Sequence, residues 1–234
     1  MTNSNVLQEV ELIRMNGGCE RTTEHIIRET AQTFRINGEP YVTAMMLAGM
    51  EKEFAVGHLY AQGIISGMSD IVSITVSGTT IEVMLAYTKK PGEEPGPVDS
   101  DLVVDCNTVF TCVKAILKSD IFAETEAVHS AGLFMEGTET VSIVEDLGRH
   151  HALDKVIGAA LLQGKDLTRA LVTSTGRLPA EMISKCRNAG IPIIATKGVP
   201  TTKAVELAKR SGITIAGLVR STTMFVYSHP ERIR

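Results

Sequence analysis

Apolar and polar positions follow two different rhythms along this chain, and the change falls near residue 100. Residues 9–15 and 25–36 read as extended. PYVTAMMLAGMEKEFAVGHLYAQGII (40–65) carries apolar residues three and four apart, which predicts a helix. DIVSITVSGTTIEVMLAY (70–87) predicts a hairpin with Ser77 and Gly78 near its turn. Residues 1–100 thus form a small α+β unit. It ends in TKKPGEEPGPVDSD (88–101), a Pro-, Gly- and charge-rich stretch without apolar periodicity that reads as a linker or long loop.

Beyond the seam, in residues 101–234, short apolar runs alternate with helical patterns. The spacing in VDCNTVFTCVKAIL (104–117) predicts a helix. Strands are predicted at 141–146, 170–174, 192–196, 214–220 and 224–228, and helices at 149–163, 179–190 and 200–212. Pro179 lies near the first turn of the second of these helices and Gly190 just past its end. Such alternation implies βαβ units, an α/β fold and a mostly parallel sheet.

The turns at the strand ends carry the chemistry. Asp146-Leu-Gly-Arg149-His150-His151, Ser174-Thr-Gly176-Arg177, Lys197-Gly-Val-Pro-Thr201-Thr202 and Arg220-Ser-Thr-Thr are polar, most of them with a glycine and each with a cation. In a parallel sheet these turns share one edge, where ligands bind and helix N-termini favour anions. One such turn alone is explained by capping, with Asp146 as the cap and Arg149 as its partner. Four on one edge predict a phosphate or diphosphate site, although none is a Walker or G-x-G-x-x-G fingerprint. Within 149–163, Asp154 stands one turn beyond His150 and is expected to orient it. Lys155, one turn beyond His151, is expected to pair with an acid or a ligand. Leu153, Val156, Ile157, Ala160 and Leu161 form the predicted buried stripe.

Composition narrows the function. The chain has 234 residues, 44% of them hydrophobic, enough for a substantial core. A net charge of −4 disfavours a general nucleic-acid binder or a polybasic membrane protein. No apolar run reaches the ~18 residues of a membrane span. The first residues lack the order of a secretory signal, so a cytoplasmic protein with reduced thiols is expected.

The four cysteines, Cys19, Cys106, Cys112 and Cys186, form no C-x-x-C pair and no zinc-finger spacing. Cys106 stands at the mouth of a predicted helix, where the thiolate form is favoured and nucleophilic. It reads equally as a buried apolar residue. Cys112 follows six residues later, on roughly the opposite side of an ideal helix, which disfavours a disulfide. Cys186 reads as packing and Cys19 as a turn residue. His129, taken alone, reads as a hydrogen-bonded core histidine.

Taken together, VHSAGLF, VEDLGRHHALDKVIGAAL, TSTGRLPAEMISKC, GIPIIATKGVPTTKAVELA, GITIAGLVR and FVYSHPERI resemble the formate dehydrogenase accessory sulfurtransferase family, FdhD/NarQ. Upstream, INGEPYVTAMMLAGMEKEFAVGHLYAQGII is similar to that family's N-terminal pattern, so the resemblance covers nearly the whole chain. It implies a cytidine-deaminase-like three-layer α/β/α domain behind a smaller α+β domain, in a homodimer. It implies a protein that takes sulfur as a persulfide from a cysteine desulfurase. The sulfur passes to the molybdenum bis(molybdopterin guanine dinucleotide) cofactor, bound as substrate and destined for a formate dehydrogenase catalytic subunit. GDP is the expected analogue. Cofactor-site candidates carried over are His129, Asp146, Arg149, His150, Asp154, Lys155, Ser174, Arg177, Thr201, Arg220 and the segment Met224, Phe225, Val226, Tyr227, Ser228 and His229.

The departure lies in the thiols. The family's sulfur carrier is a C-x-x-C pair, whereas here DCNTVFTC separates Cys106 and Cys112 by five residues. Cys106 best matches the persulfide-bearing position and Cys112 is the displaced second catalytic thiol. Two thiols six apart exchange only through a flexible segment. The alternative is a cofactor-binding chaperone without sulfur transfer. A zinc deaminase needs H-x-E together with P-C-x-x-C, and no P-C-x-x-C occurs.

Overall fold

The computed structural model describes residues 6–86 and 95–234. Residues 88–94 of the predicted linker, with residue 87 at the end of the predicted hairpin, lie outside the described residues. The remainder of that stretch is laid down on the body: Val98 N donates to Ser211 O at 2.8 Å, and Ser100 Oγ to Thr168 O at 2.6 Å.

Strands β1 (Leu7–Met15) and β2 (Cys19–Ile27) form an antiparallel ribbon. Strands β3 (Thr30–Ile36) and β4 (Glu39–Met46) come next, then helix α1 (Glu51–Ala61), then β5 (Ile71–Ser77) and β6 (Thr80–Leu85). The sheet order is β4-β3-β6-β5. The helix predicted over 40–65 therefore begins only at Glu51, and residues 40–46 are strand. The deciding signal is Asn37-Gly38, whose positive φ values of 51° and 85° make the tight turn that folds β4 back on β3. Once paired, Ala44 and Met46 face the core with Phe34, while Met45 faces out. Phe54, Ala55 and Leu59 of α1 close that core from above.

The second half contains α2 (Cys106–Ala115), α3 (Asp120–Thr125), β7 (His129–Met135), β8 (Glu139–Asp146), α4 (Arg149–Leu162) and β9 (Ala170–Ser174). It continues through α5 (Ala180–Ala189), β10 (Ile193–Thr196), α6 (Thr202–Ser211), β11 (Thr214–Gly217) and β12 (Phe225–Ser228). The six strands run in the order β12-β11-β10-β9-β7-β8. Only β9–β10 and β10–β11 pair in parallel; the other three pairings are antiparallel. The mostly parallel sheet expected from the alternation is thus mixed, because His129–Met135 forms an unanticipated strand between β8 and β9. Two reversals cancel, so β8, β9, β10 and β11 still point the same way and end on one edge.

Alternate strand residues feed two cores. Leu133, Val172, Ile194 and Ile215 pack under α4, α5 and α6. Phe134, Leu171, Ile193 and Ala216 pack under α2, with Val109, Cys112 and Val113. This is the three-layer α/β/α arrangement. Helix α4 is buried from Ala152 to Ala160 rather than along one stripe, because α1 covers the face away from the sheet. The crossing is backbone on backbone: a Cβ on Gly158 would lie 1.8 Å from Glu53 O, and one on Gly57 1.8 Å from Asp154 O.

Candidate functional site: a cation-rimmed crevice at the strand ends

The turns after β9, β10 and β11 are bonded to one another. Lys197 N donates to Ser174 O at 3.1 Å, Leu178 N to Val199 O at 3.0 Å, and Leu218 N to Gly198 O at 2.7 Å. Thr196 Oγ1 donates to Gly176 O at 2.5 Å, and Arg220 Nη1 to Lys197 O at 2.7 Å. Gly198 is needed for this approach, since a Cβ there would stand 2.7 Å from Gly176 O. Ser174 is buried, and its Oγ accepts from Gly176 N at 3.2 Å, shaping the turn rather than meeting solvent.

Two clefts open on this rim. One, of about 510 Å³, lies between α3 and the start of β7, with His129, Thr175, Lys197 and Arg220 in its wall. The other, of about 520 Å³, runs along α2 past Asn107, Phe110 and Lys114. Both include Leu117, Lys197 and Arg220, so the two cations stand between them.

His129 enters from the antiparallel strand β7, opposite Asp146. Its ring lies beside Arg149, because Gly176 leaves room for both: a Cβ there would meet Arg149 Cδ at 2.9 Å and His129 Cε1 at 3.4 Å. Burial, then Arg149 and Arg177, push the His129 imidazole below its ordinary value. Burial also lowers His150, against the pull of Glu181 3.5 Å away. Arg149 Nε and His150 Nε2 are buried and find no hydrogen-bond partner among the described residues. The rim therefore presents cations beside the His129 imidazole, pushed toward neutrality, a setting suited to an anionic ligand, whereas His150 stands against Glu181 of α5, outside the described walls of both clefts.

Several predicted residues stand elsewhere. Asp154 does not orient His150: it is fully buried and accepts from Lys185 Nζ at 2.6 Å and His58 Nδ1 at 2.9 Å. Lys155 is buried against Asp146 Oδ2 at 2.7 Å and donates to Leu47 O at 2.9 Å. Asp146 also lies 3.3 Å from His151 Nδ1 and accepts from Leu47 N at 3.2 Å. These charges tie the loop after β4 and helices α1 and α5 to α4. Against the upward push of burial, the His151 imidazole and then Lys155 hold Asp146 below the ordinary carboxylate range, as His58 and then Lys185 do for Asp154.

Thr201 caps α6, its Oγ1 accepting from Ala204 N at 3.3 Å. Of the segment 224–229, Phe225 pairs with Gly217 at the crevice edge, and the strand then runs away from it. Val226 and Tyr227 lie along β12, Ser228 Oγ bonds Ile213 O at 2.8 Å, and His229 ends at the far edge on Lys209 O and Glu231. Phe122, Leu147 and Thr175, which sequence reasoning missed, line the first cleft. The available signal for Phe122 was Ser119, which caps α3 by accepting from Phe122 N at 2.8 Å.

The thiols separate too. Cys106 is half-buried at the first position of α2, behind the capping Asp105. Its backbone N donates to Arg234 O at 2.7 Å, at the sheet edge opposite the crevice. Ten residues of α2, about 15 Å at 1.5 Å per residue, lie between that edge and the α3-side cleft, whereas the cleft along α2 already reaches Asn107, next to Cys106. Cys112 is 2% exposed and faces Gly137 O at 3.2 Å, and burial pushes its thiol up to about 11. Cys186 is fully buried and Cys19 exposed at the ribbon tip.

The model of the FdhD/NarQ family matches residues 27–96 and 87–234. The chain belongs to the FdhD/NarQ family. It is 34% identical to the sulfur carrier protein FdhD of Methanothermobacter thermautotrophicus, over 97% of this chain and 98% of that relative. It is 31% identical to the FdhD of Sulfolobus acidocaldarius, again over 97% and 98%. Among solved structures it resembles a protein from Desulfotalea psychrophila assigned as a formate dehydrogenase accessory protein. The TM-score is 0.86 at 31% identity, covering 98% of this chain and 100% of that one. Among the described residues, no helix is long and apolar enough to cross a membrane.

Proposed function

We propose that this chain is a sulfur carrier that serves a formate dehydrogenase. Cys106 holds the sulfur and the strand-end crevice holds the guanylate-bearing molybdenum cofactor as substrate. The observation that carries the reading is the pair of clefts flanking Lys197 and Arg220, with Arg149 and His129 beside them. That donor set suits diphosphate oxygens, and Arg149 Nε, buried without a hydrogen-bond partner at the start of α4, adds to it.

In the loading step, the Cys106 thiolate attacks the outer sulfur of a cysteine desulfurase persulfide. The donor's S–S bond breaks, its thiolate leaves, and a new S–S bond forms on Cys106. The protein acts in the cytoplasm as a homodimer, with the formate dehydrogenase catalytic subunit as recipient.

A second reading, a cofactor chaperone without sulfur transfer, is favoured by the burial of Cys112, which leaves Cys106 without an accessible second thiol on α2. Incubation with a cysteine desulfurase and cysteine, followed by peptide mass spectrometry, separates the two. Sulfur addition at Cys106, lost in Cys106→Ala and kept in Cys112→Ala, supports the carrier. A Cys106→Ala protein that still activates formate dehydrogenase fully in cells supports the chaperone.

A further inference from the structure

We propose that Glu126 selects the base accepted by the crevice, taking the paired N–H donors of a guanine edge. The inference rests on the crevice reading above. Among the described residues lining the 510 Å³ cleft, Glu126 is the sole carboxylate, in a wall that also holds Lys197 and Arg220. A carboxylate beside a bound anion is repelled by it. Glu126 is exposed, and beside a bound anion it is favourable when the ligand turns N–H donors toward it.

Guanine presents adjacent N1–H and N2–H donors that match two carboxylate oxygens. Adenine, cytosine and uracil each place an acceptor on that edge, which a carboxylate repels. Glu126 is set in place by its backbone: it closes α3 with φ 52°, and its N–H donates to Phe122 O at 2.8 Å. Phe122, 47% exposed, lines the same cleft and offers a ring for the base to stack on. The neighbouring acid Glu124 is already engaged by His25 at 2.6 Å. The cleft along α2 has no carboxylate in its described wall, so base selection belongs to the α3 side and the diphosphate to the cations between the clefts.

Calorimetric titration of the full-length protein with GDP, IDP, ADP and inorganic diphosphate tests this. IDP lacks the 2-amino group. The unmodified protein should bind GDP more tightly than IDP or ADP. Glu126→Gln, and Glu126→Gly which also suits the positive φ, should weaken GDP roughly 10- to 100-fold, the range for lost charge-assisted hydrogen bonds. ADP and diphosphate should bind as before or more tightly. An unchanged GDP-to-ADP ratio in both variants, or a parallel loss for all four compounds, overturns the role of Glu126. An unmodified protein that binds diphosphate but shows no preference for GDP overturns it as well and leaves the crevice reading standing. Failure of all four compounds to bind the unmodified protein overturns both.

Discussion

Gly158→Ala should destabilise this protein, although the same change in an isolated helix is stabilising. Gly158 sits in the middle of α4, where alanine has a helix propensity about 1 kcal/mol better. Against that gain stands the crossing with α1. The new Cβ would lie 1.8 Å from Glu53 O, 2.7 Å from the Glu53 carbonyl carbon and 2.8 Å from the Gly57 amide nitrogen. These are backbone atoms, which cannot rotate away. Restoring ordinary contact of ~3.5 Å moves the helices apart by more than 1 Å. That loosens Phe54, Ala55 and Leu59 on one side and Val156 and Ile157 on the other, all buried. Overpacking of this kind costs about 1–3 kcal/mol or more. With the contact at the severe end, a net loss of about 2 kcal/mol or more remains after the propensity gain. For a chain of this size that lowers Tm by roughly 5–10 °C. Chemical denaturation and thermal melting of the two proteins measure it. Because Arg149 begins the same helix, GDP affinity should fall alongside. Adding Gly57→Ala should cost less than the sum of the two changes, since both open one seam. A Gly158→Ala protein as stable as the parent, or more so, refutes the account of the crossing.

Lys185→Met should cost about 3–5 kcal/mol in urea denaturation, because it leaves the buried Asp154 carboxylate with only His58. Pairing it with Asp154→Leu should restore most of that stability, and a single variant within about 1 kcal/mol of the parent would contradict the assignment. A bound anion should raise the His129 pKa that burial, Arg149 and Arg177 depress. Affinity for sulfate, which keeps its charge, should therefore rise as pH falls from about 7.5 to about 5.5, with NMR reporting the ring. Without ligand the sign is opposite. The unfolded chain takes up the proton first, so the His129 contribution to stability is present above pH ~6.5 and declines below it. Sulfate binding flat across that window would refute the placement of His129.

Much of the α/β half was legible because each of its helices and strands is a short run with its own punctuation, such as Pro179 and Gly190 around α5. The common edge was legible too, since turn chemistry repeats after each strand. Pairing over distance was hidden. His129–Met135 is nearly continuous in apolar and small residues, and only its insertion between β8 and β9 makes it a strand that reverses direction twice over. Asp154 and Lys155 looked like crevice groups because their partners Lys185, His58 and Asp146 come from other elements. Helical spacing places neighbours on one helix and says nothing of what packs across it. Asn37-Gly38 was a local signal that the apolar spacing of 40–65 overrode.

The mutual bonding of the turns after β9, β10 and β11 means that a ligand meets a finished surface rather than three independent loops awaiting order. Binding then costs little conformational entropy, and affinity can come from a handful of cations. The same bonding removes modularity. Enlarging Gly198 would displace Gly176, and with it the seat of Arg149 and His129, so a lesion in one turn propagates to residues in two others.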